Sequence, residues 1–158
     1  RGLGDVYKRQ AKEVAEGNEA IVLIHDGVRP LITDEVLKNN IESVQIHGSA
    51  ITTAKVKETI VVVNSDGAID YVTDREKSRV AKAPQSFWLT DILSAHEQAL
   101  SEGKNSFIDS CTMMQYYGKL MFLVDGPYDN IKITTPDDFY TMRAILEARE
   151  NAQIYEYE

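Results

Sequence analysis

The sequence predicts an α/β layered fold with a mostly parallel sheet and one inserted β-hairpin arm. Three observations point there. Ile21-Val-Leu-Ile24 is an uninterrupted apolar run that breaks into His25-Asp-Gly-Val-Arg-Pro30, the pattern of a strand buried on both faces. Strand-like and helix-like stretches alternate along most of the chain, as they do when helices cover a parallel sheet. Between residues 59 and 73, two β-prone runs flank Asn64-Ser-Asp-Gly67, a turn sequence that interrupts the alternation.

Each element has its own signal. Residues 11–18 are polar and helix-prone, the tail of a helix leading into the first strand. Thr33 reads as an N-cap, with Asp34 and Glu35 in the first turn; Val36, Leu37, Ile41 and Val44 share a face, and Gly48 stops the helix. Residues 49–56 form the next strand, and 59–63 with 68–73 form the hairpin. Pro84 disfavours helix at Ala83, so residues 81–87 are extended. Thr90 or Asp91 caps a helix that runs through Leu100 and closes at Gly103; a shorter helix spans about 110–117 and ends at Gly118. Residues 120–124 are a further buried strand. Thr135, Pro136, Asp137 and Asp138 announce a last helix whose buried stripe is Phe139, Met142, Ile145 and Leu146, fraying from Glu150.

The 158 residues suit one domain with a real core. A net charge of −8 argues against nucleic acid as a partner. The single cysteine, Cys111, excludes an internal disulfide and any multi-cysteine zinc site, and a reducing compartment follows most simply. No apolar run is long enough to span a bilayer and no stretch reads as a signal peptide. These features describe a soluble cytoplasmic protein, or part of one. Residues 1–10 are set apart: Asp5-Val-Tyr-Lys-Arg-Gln10 back-translates to GATGTGTATAAGAGACAG, one frame of a transposon adapter used in sequencing libraries. Native sequence is therefore expected to start near Ala11, to form part of one domain over residues 11–150 with its arm at about 55–80, and to end in a tail at 151–158.

Three stretches could carry chemistry. In open α/β sheets ligands sit beyond the carboxyl ends of strands. Asp26 and Arg29 stand there, suited to a divalent cation and a phosphate, or else to pairing with each other. Asp129-Asn-Ile-Lys-Ile-Thr-Thr-Pro136 enters the last helix, whose first N–H groups and dipole favour an anion near Lys132, Thr134 and Thr135. Asp129 and Asn130 add oxygen donors suited to magnesium; the plainer alternative makes Thr135 a cap and Lys132 a solvated charge. Thr59 and Arg75 lie on the arm, where Arg75 could equally belong to an exposed charged run.

These pieces occur together and in order. His25-Asp-Gly-Val-Arg-Pro30, Lys57-Glu-Thr-Ile60, Asp74-Arg75, Ala83-Pro-Gln-Ser-Phe87, Asp109 and Asn130-Ile-Lys-Ile-Thr-Thr-Pro-Asp137 make residues 21–146 resemble the C-terminal portion of the polyol-phosphate cytidylyltransferases. That family includes the 2-C-methyl-D-erythritol 4-phosphate and the ribitol-5-phosphate enzymes. The resemblance implies a Rossmann-like three-layer nucleotidyltransferase fold, here N-terminally truncated. It implies that a polyol phosphate attacks the α-phosphorus of CTP in line and expels pyrophosphate, with Mg2+ as cofactor. Asp26 and Arg29 would belong to the catalytic site, Asp26 close to the metal and the polyol, and Lys132 would hold the substrate phosphate. Thr59 and Arg75 would reach from the arm into the neighbouring subunit's site, making the working enzyme a homodimer. Asp109, Thr134 and Thr135 complete the expected substrate contacts. Methylerythritol phosphate is the leading acceptor, giving an isoprenoid precursor. Ribitol 5-phosphate or another pentitol phosphate for cell-surface polymers is the alternative.

Departures from the family pattern qualify the expectation. Ala83 stands where the family usually has Thr, so a substrate hydroxyl contact is missing or supplied elsewhere. Ser110-Cys111 follows Asp109 where the methylerythritol enzymes more often have acidic or small residues. The family's glycine-rich triphosphate loop has no counterpart: Gly2-Leu-Gly4 falls in the adapter-like segment, and a lone GxG carries no weight. A non-catalytic dimerisation or nucleotide-sensing homologue, and a transferase using UTP, therefore remain rivals. Cys111 and Trp88 read as packing residues, His25 as a hydrogen-bonding residue at the strand end; His47 and His96 receive no role. A chain lacking that loop is expected to be inactive, with an unpaired sheet edge and an open apolar face. Purified residues 11–158 should thus release no pyrophosphate from CTP and a polyol phosphate; measurable release would overturn the expectation.

Overall fold

The computed structural model describes residues 10–104 and 106–155. The adapter-like segment apart from Gln10, and residues 156–158 of the tail, lie outside the described residues. Residues 10–15 are helical. The chain then runs β1 (Ile21–Ile24), α1 (Asp34–His47), β2 (Ser49–Lys55), β3 (Val61–Val63), β4 (Ile69–Val72), a 3-10 turn (Arg75–Lys77), β5 (Arg79–Trp88), α2 (Leu89–Ser101), α3 (Ser110–Tyr116), β6 (Leu123–Asp125) and α4 (Pro136–Tyr155).

The main sheet has the order β1-β5-β2-β6. β6 lies parallel to β2, while β5 lies antiparallel to both β1 and β2. Three of the four strands therefore share one direction and the long β5 opposes them. The expected extended segment at 81–87 is this central strand. Its direction follows from the arm: β2 leads out into the β3–β4 hairpin and the chain returns beside β2 without a crossover helix, which requires an antiparallel neighbour.

Alternation along the strands feeds two faces. Ile51 and Phe87, with Val22 and Ile24 packed against them, meet Ile92, Ala95 and Ala99 of α2 and Met113 and Met114 of α3. Ala50 and Val124 meet Val44 of α1, joined by Ile21 and Trp88. A helix thus covers one face and two cover the other, the three-layer arrangement. Trp88 is a packing residue, as its place in the sequence suggested. α1 is anchored by more than apolar contact. Fully buried Asn40 donates from Nδ2 to Val36 O (2.8 Å) and Thr52 Oγ1 (2.9 Å), and accepts from Ser86 Oγ at 3.0 Å. One amide thereby joins α1, β2 and β5.

The ends of α1 match their signals: Val36 N–H donates to Thr33 Oγ1 at 3.4 Å, and Gly48, at φ 84°, donates its N–H to Val44 O. Elsewhere the structure corrects details. β1 is only half-buried along its length, because it pairs with β5 alone and forms a sheet edge. α2 begins at Leu89 behind Trp88, which makes no side-chain cap; the Thr90 hydroxyl instead donates to the Glu19 carboxylate at 3.0 Å. The last helix continues to Tyr155, and its expected buried stripe is open: Phe139 and Leu146 are exposed and Met142 and Ile145 half-buried. No described element covers that stripe, so its periodicity has nothing to pack against. Among the described residues no helix is long and apolar enough to cross a membrane.

The turn after β6 depends on a glycine. Gly126 N–H donates to Thr53 O at 2.8 Å, and a Cβ at this position would lie 2.6 Å from Thr52 Cγ2. Thr52 is fully buried and held by Asn40, so it has nowhere to move. Gly126→Ala should cost about 1–3 kcal/mol in denaturant unfolding through overpacking. Gly27→Ala, which meets open space, should stay within about 0.5 kcal/mol. Equal costs for the two would refute the steric account.

Candidate active site

Because β1 and β6 run the same way, the loops that leave their carboxyl ends arrive on one side of the sheet. One main-chain bond and one side-chain bond lock them together, and a second side chain ties them to β5. Ile133 N–H donates to Val28 O at 2.9 Å. Arg29 Nη1 donates to Asn130 O at 2.9 Å. Asn130, fully buried, donates from Nδ2 to Ala83 O of β5 at 2.8 Å. His25 donates from Nε2 to Arg29 O at 2.9 Å, which braces the same loop. A cleft of about 280 Å³ opens between the loops and β5, lined by Asp26, Arg29, Lys82, Gln85, Asp109 and Lys132 among others.

Asp26 and Arg29 do pair, the alternative that the sequence left open: Arg29 Nε lies 3.0 Å from Asp26 Oδ2. Lys132, half-exposed, stands 3.5 Å from the same oxygen. The pair does not close the site on itself, because one carboxylate faces two cations. Carboxylate, guanidinium and ammonium therefore converge in one cleft.

Lys82 is the residue that the sequence reading missed. It is buried in β5 and donates from Nζ to Tyr128 O (2.9 Å) and Asn130 O (3.1 Å). Burial first, and then the Arg29 and Lys57 charges, push its ammonium below the ordinary lysine pKa; Asp129 opposes them. The ammonium of Lys57 sits 3.5 Å from the centroid of the Tyr128 ring. A signal did exist: a lysine two residues before Pro84, inside a run otherwise fit for a sheet interior.

Asp109 also lines the cleft but is heavily engaged. It caps α3, accepting from the Thr112 N–H at 2.8 Å and from the Thr112 hydroxyl, and takes a bond from Gln85 Nε2 at 2.9 Å. Burial works to raise its pKa, yet those hydrogen bonds outweigh it and hold the carboxyl below the usual aspartate value. Gln85 Oε1 in turn accepts the Cys111 N–H at 2.8 Å. The Cys111 thiol, pushed up by burial and by the Asp109 charge, is a packing group.

Other expected ligands are placed differently. The Asp129 carboxylate is taken by Arg149 at 2.5 Å, and the Asn130 amide braces β5 from a fully buried position. Neither joins Asp26 in a multi-carboxylate group; among the described residues no three His, Cys, Asp or Glu gather to hold a metal. Thr59 and Arg75 are exposed and do not line this chain's cleft. Thr134 and Thr135 present both N–H groups and both hydroxyls to Asp138 Oδ2, at 2.8–2.9 Å. The anion at this helix start is the chain's own, in a capping-box arrangement with Asp138 N–H donating to Thr135 Oγ1 at 3.3 Å.

Comparison with known proteins identifies the family. A model of the family of 2-C-methyl-D-erythritol 4-phosphate cytidylyltransferases (IspD) matches residues 7–148. The chain belongs to that family. It is 54% identical over 146 residues to a ribitol-5-phosphate cytidylyltransferase of Streptococcus agalactiae serotype V, covering 92% of this chain and 61% of that protein. It is 38% identical over 128 residues to a bifunctional IspD/IspF enzyme of Nitrobacter hamburgensis, covering 81% and 32%. The crystal structure of 4-diphosphocytidyl-2C-methyl-D-erythritol synthase from Anaerococcus prevotii aligns with a TM-score of 0.82 at 25% identity, over 93% of this chain and 68% of that one. The chain spans about three fifths of the length of the ribitol-phosphate relative.

The Asp138 contacts fix a pH window. Bonds from the Thr134 and Thr135 N–H groups, then from their hydroxyls, hold its carboxyl at a pKa of about 2. A depressed folded-state value means that this cap is fully present above the unfolded value of about 4 and is lost as pH falls through about 2. Carbon-13 NMR of the Asp138 carboxyl should give a midpoint near the lower figure; a midpoint at the ordinary aspartate value would remove the cap.

Proposed function

We propose that the cleft is the acceptor side of a CTP-dependent cytidylyltransferase site and that its acceptor is ribitol 5-phosphate or a close pentitol phosphate. The convergence of Arg29 and Lys132 on Asp26 at the strand ends carries the chemical part of this reading. It concentrates positive charge in a protein whose net charge is −8. The acceptor choice rests on likeness: 54% identity to a ribitol-5-phosphate enzyme against 38% to an IspD/IspF enzyme. That ordering reverses the preference for methylerythritol phosphate drawn from motifs alone, which keeps the support of the family model and stands second.

In this reading an oxygen of the acceptor's phosphate attacks the α-phosphorus of CTP, and the bond from that phosphorus to pyrophosphate breaks. The attacking oxygen is already ionised at neutral pH, so no general base is needed. The residues hold two anions together and in line. Lys132 grips the acceptor phosphate as a mobile point charge, while Arg29, pinned by Asp26 and Asn130 O, presents a fixed cation. Magnesium would neutralise phosphate oxygens, and Asp26 is the residue to hold it. A single protein carboxylate suits an ion whose other ligands are phosphates and water. Asp129 and Asn130, engaged elsewhere, are not needed for it.

The arm supports a homodimer as part of the same proposal. Val61, Val63, Ile69, Tyr71 and Val72 are all exposed on a two-stranded hairpin, an apolar surface that a second copy would cover. Thr59 and Arg75 on that arm would then serve the partner's cleft. Use of CTP as a substrate supports a cytoplasmic location as part of the same proposal.

Lys132→Ala, assayed in a catalytically competent preparation, should raise KM for ribitol 5-phosphate about tenfold or more and leave KM for CTP within about twofold. The opposite ranking would take Lys132 off the acceptor. A higher kcat/KM for methylerythritol phosphate than for ribitol 5-phosphate would overturn the acceptor assignment.

A further inference from the structure

Among the described residues Lys82 has no carboxylate partner: its bonds go to carbonyls. The carboxylate in hydrogen-bonding reach of the cleft's other cations is Asp26, and its contacts go to Arg29 and Lys132. Asp129, whose charge Lys82 feels, is ion-paired with Arg149. The bonded partners of Lys82 are instead two neutral carbonyls, of Tyr128 and Asn130, with the Tyr128 ring centroid 5.1 Å away. An ammonium has three N–H donors, and two are used here. A buried cation under repulsion from Arg29 and Lys57 and served by two neutral acceptors is under-compensated. The cleft is the open space that it lines.

We propose that Lys82 is a third phosphate-binding cation of this site, its remaining N–H directed at an oxygen of a bound phosphate. The two carbonyls fix the ammonium in place, so a ligand meets a pre-positioned donor rather than a free side chain, and orders little on binding. Arg29 shares the Asn130 carbonyl with Lys82, which spaces the two cations across one ligand group. The phosphate could belong to the acceptor or to the nucleotide, and the chemistry is the same for both. This inference rests on the phosphate-binding part of the function proposed above and not on the acceptor's identity.

The test is binding by calorimetry, on this chain, of inorganic phosphate, ribitol 5-phosphate and CTP, for the wild type, Lys82→Met and Lys82→Arg. Methionine keeps the stem and removes the charge; arginine keeps the charge. Lys82→Met should weaken inorganic phosphate about tenfold or more, and Lys82→Arg should recover part of the loss. An equal fold-loss for ribitol 5-phosphate with CTP unchanged assigns the acceptor phosphate, and the reverse assigns the nucleotide. Unchanged phosphate affinity in Lys82→Met overturns the proposal, as does absence of phosphate binding by the wild type. A loss that Lys82→Arg does not recover, accompanied by a lowered Tm in both variants, overturns it in favour of a purely structural brace. Should Lys82→Met lose phosphate while the wild type shows no preference for ribitol 5-phosphate over inorganic phosphate, Lys82 stands and the pentitol assignment falls.

Discussion

The carbonyl of Asn130 is the point on which the site depends. It accepts from Arg29 Nη1 and from Lys82 Nζ, while the side chain of the same residue bonds β5 from a fully buried position. Two cations that would otherwise repel are thereby held at fixed places by one dipole. A carbonyl can do this where a carboxylate would not, since it orients the donors without cancelling their charge. The positive character of the cleft is preserved for a ligand. The loop after β6 is also drawn against the loop after β1, where the Ile133 to Val28 bond completes the seam.

The sheet supplies the frame for that seam. β1, β2 and β6 point the same way and the returning strand β5 runs antiparallel between β1 and β2. Lys82, Ala83 and Gln85 on β5 consequently lie under loops that begin some fifty residues away in either direction. Asn40 fastens α1 to this frame through polar bonds at a place where apolar packing alone would leave the register of helix on sheet loosely specified. The arm is a consequence of the same topology: the chain leaves β2, makes a hairpin, and returns antiparallel beside it.

Acidic and basic groups divide their work. Asp109 and Asp138 are both held below the usual carboxylate range by hydrogen bonds from helix starts, and so serve as caps for α3 and α4. Asp26 differs: its bonded partners are cations of the cleft, and it sets their positions. Residue type alone did not separate these three aspartates. Their neighbours in space did.

Much was legible in the sequence where the signal is local. The cap at Thr33, the stop at Gly48, the hairpin turn at Asn64–Gly67 and the helix start at Thr135–Pro136 each rest on backbone preferences within a few residues, and each is found. The cluster of Asp26, Arg29 and Lys132 was legible too, because ordered motifs at strand ends imply neighbourhood. What tertiary structure alone decided is non-local. Lys82 gains its burial and its acceptors from residues 128 and 130, and Thr134 and Thr135 lose their anion-binding groups to Asp138. The direction of β5 follows from the path of the arm. Local patterns record what a segment prefers; which polar group remains unpaired after packing depends on segments far away in the chain.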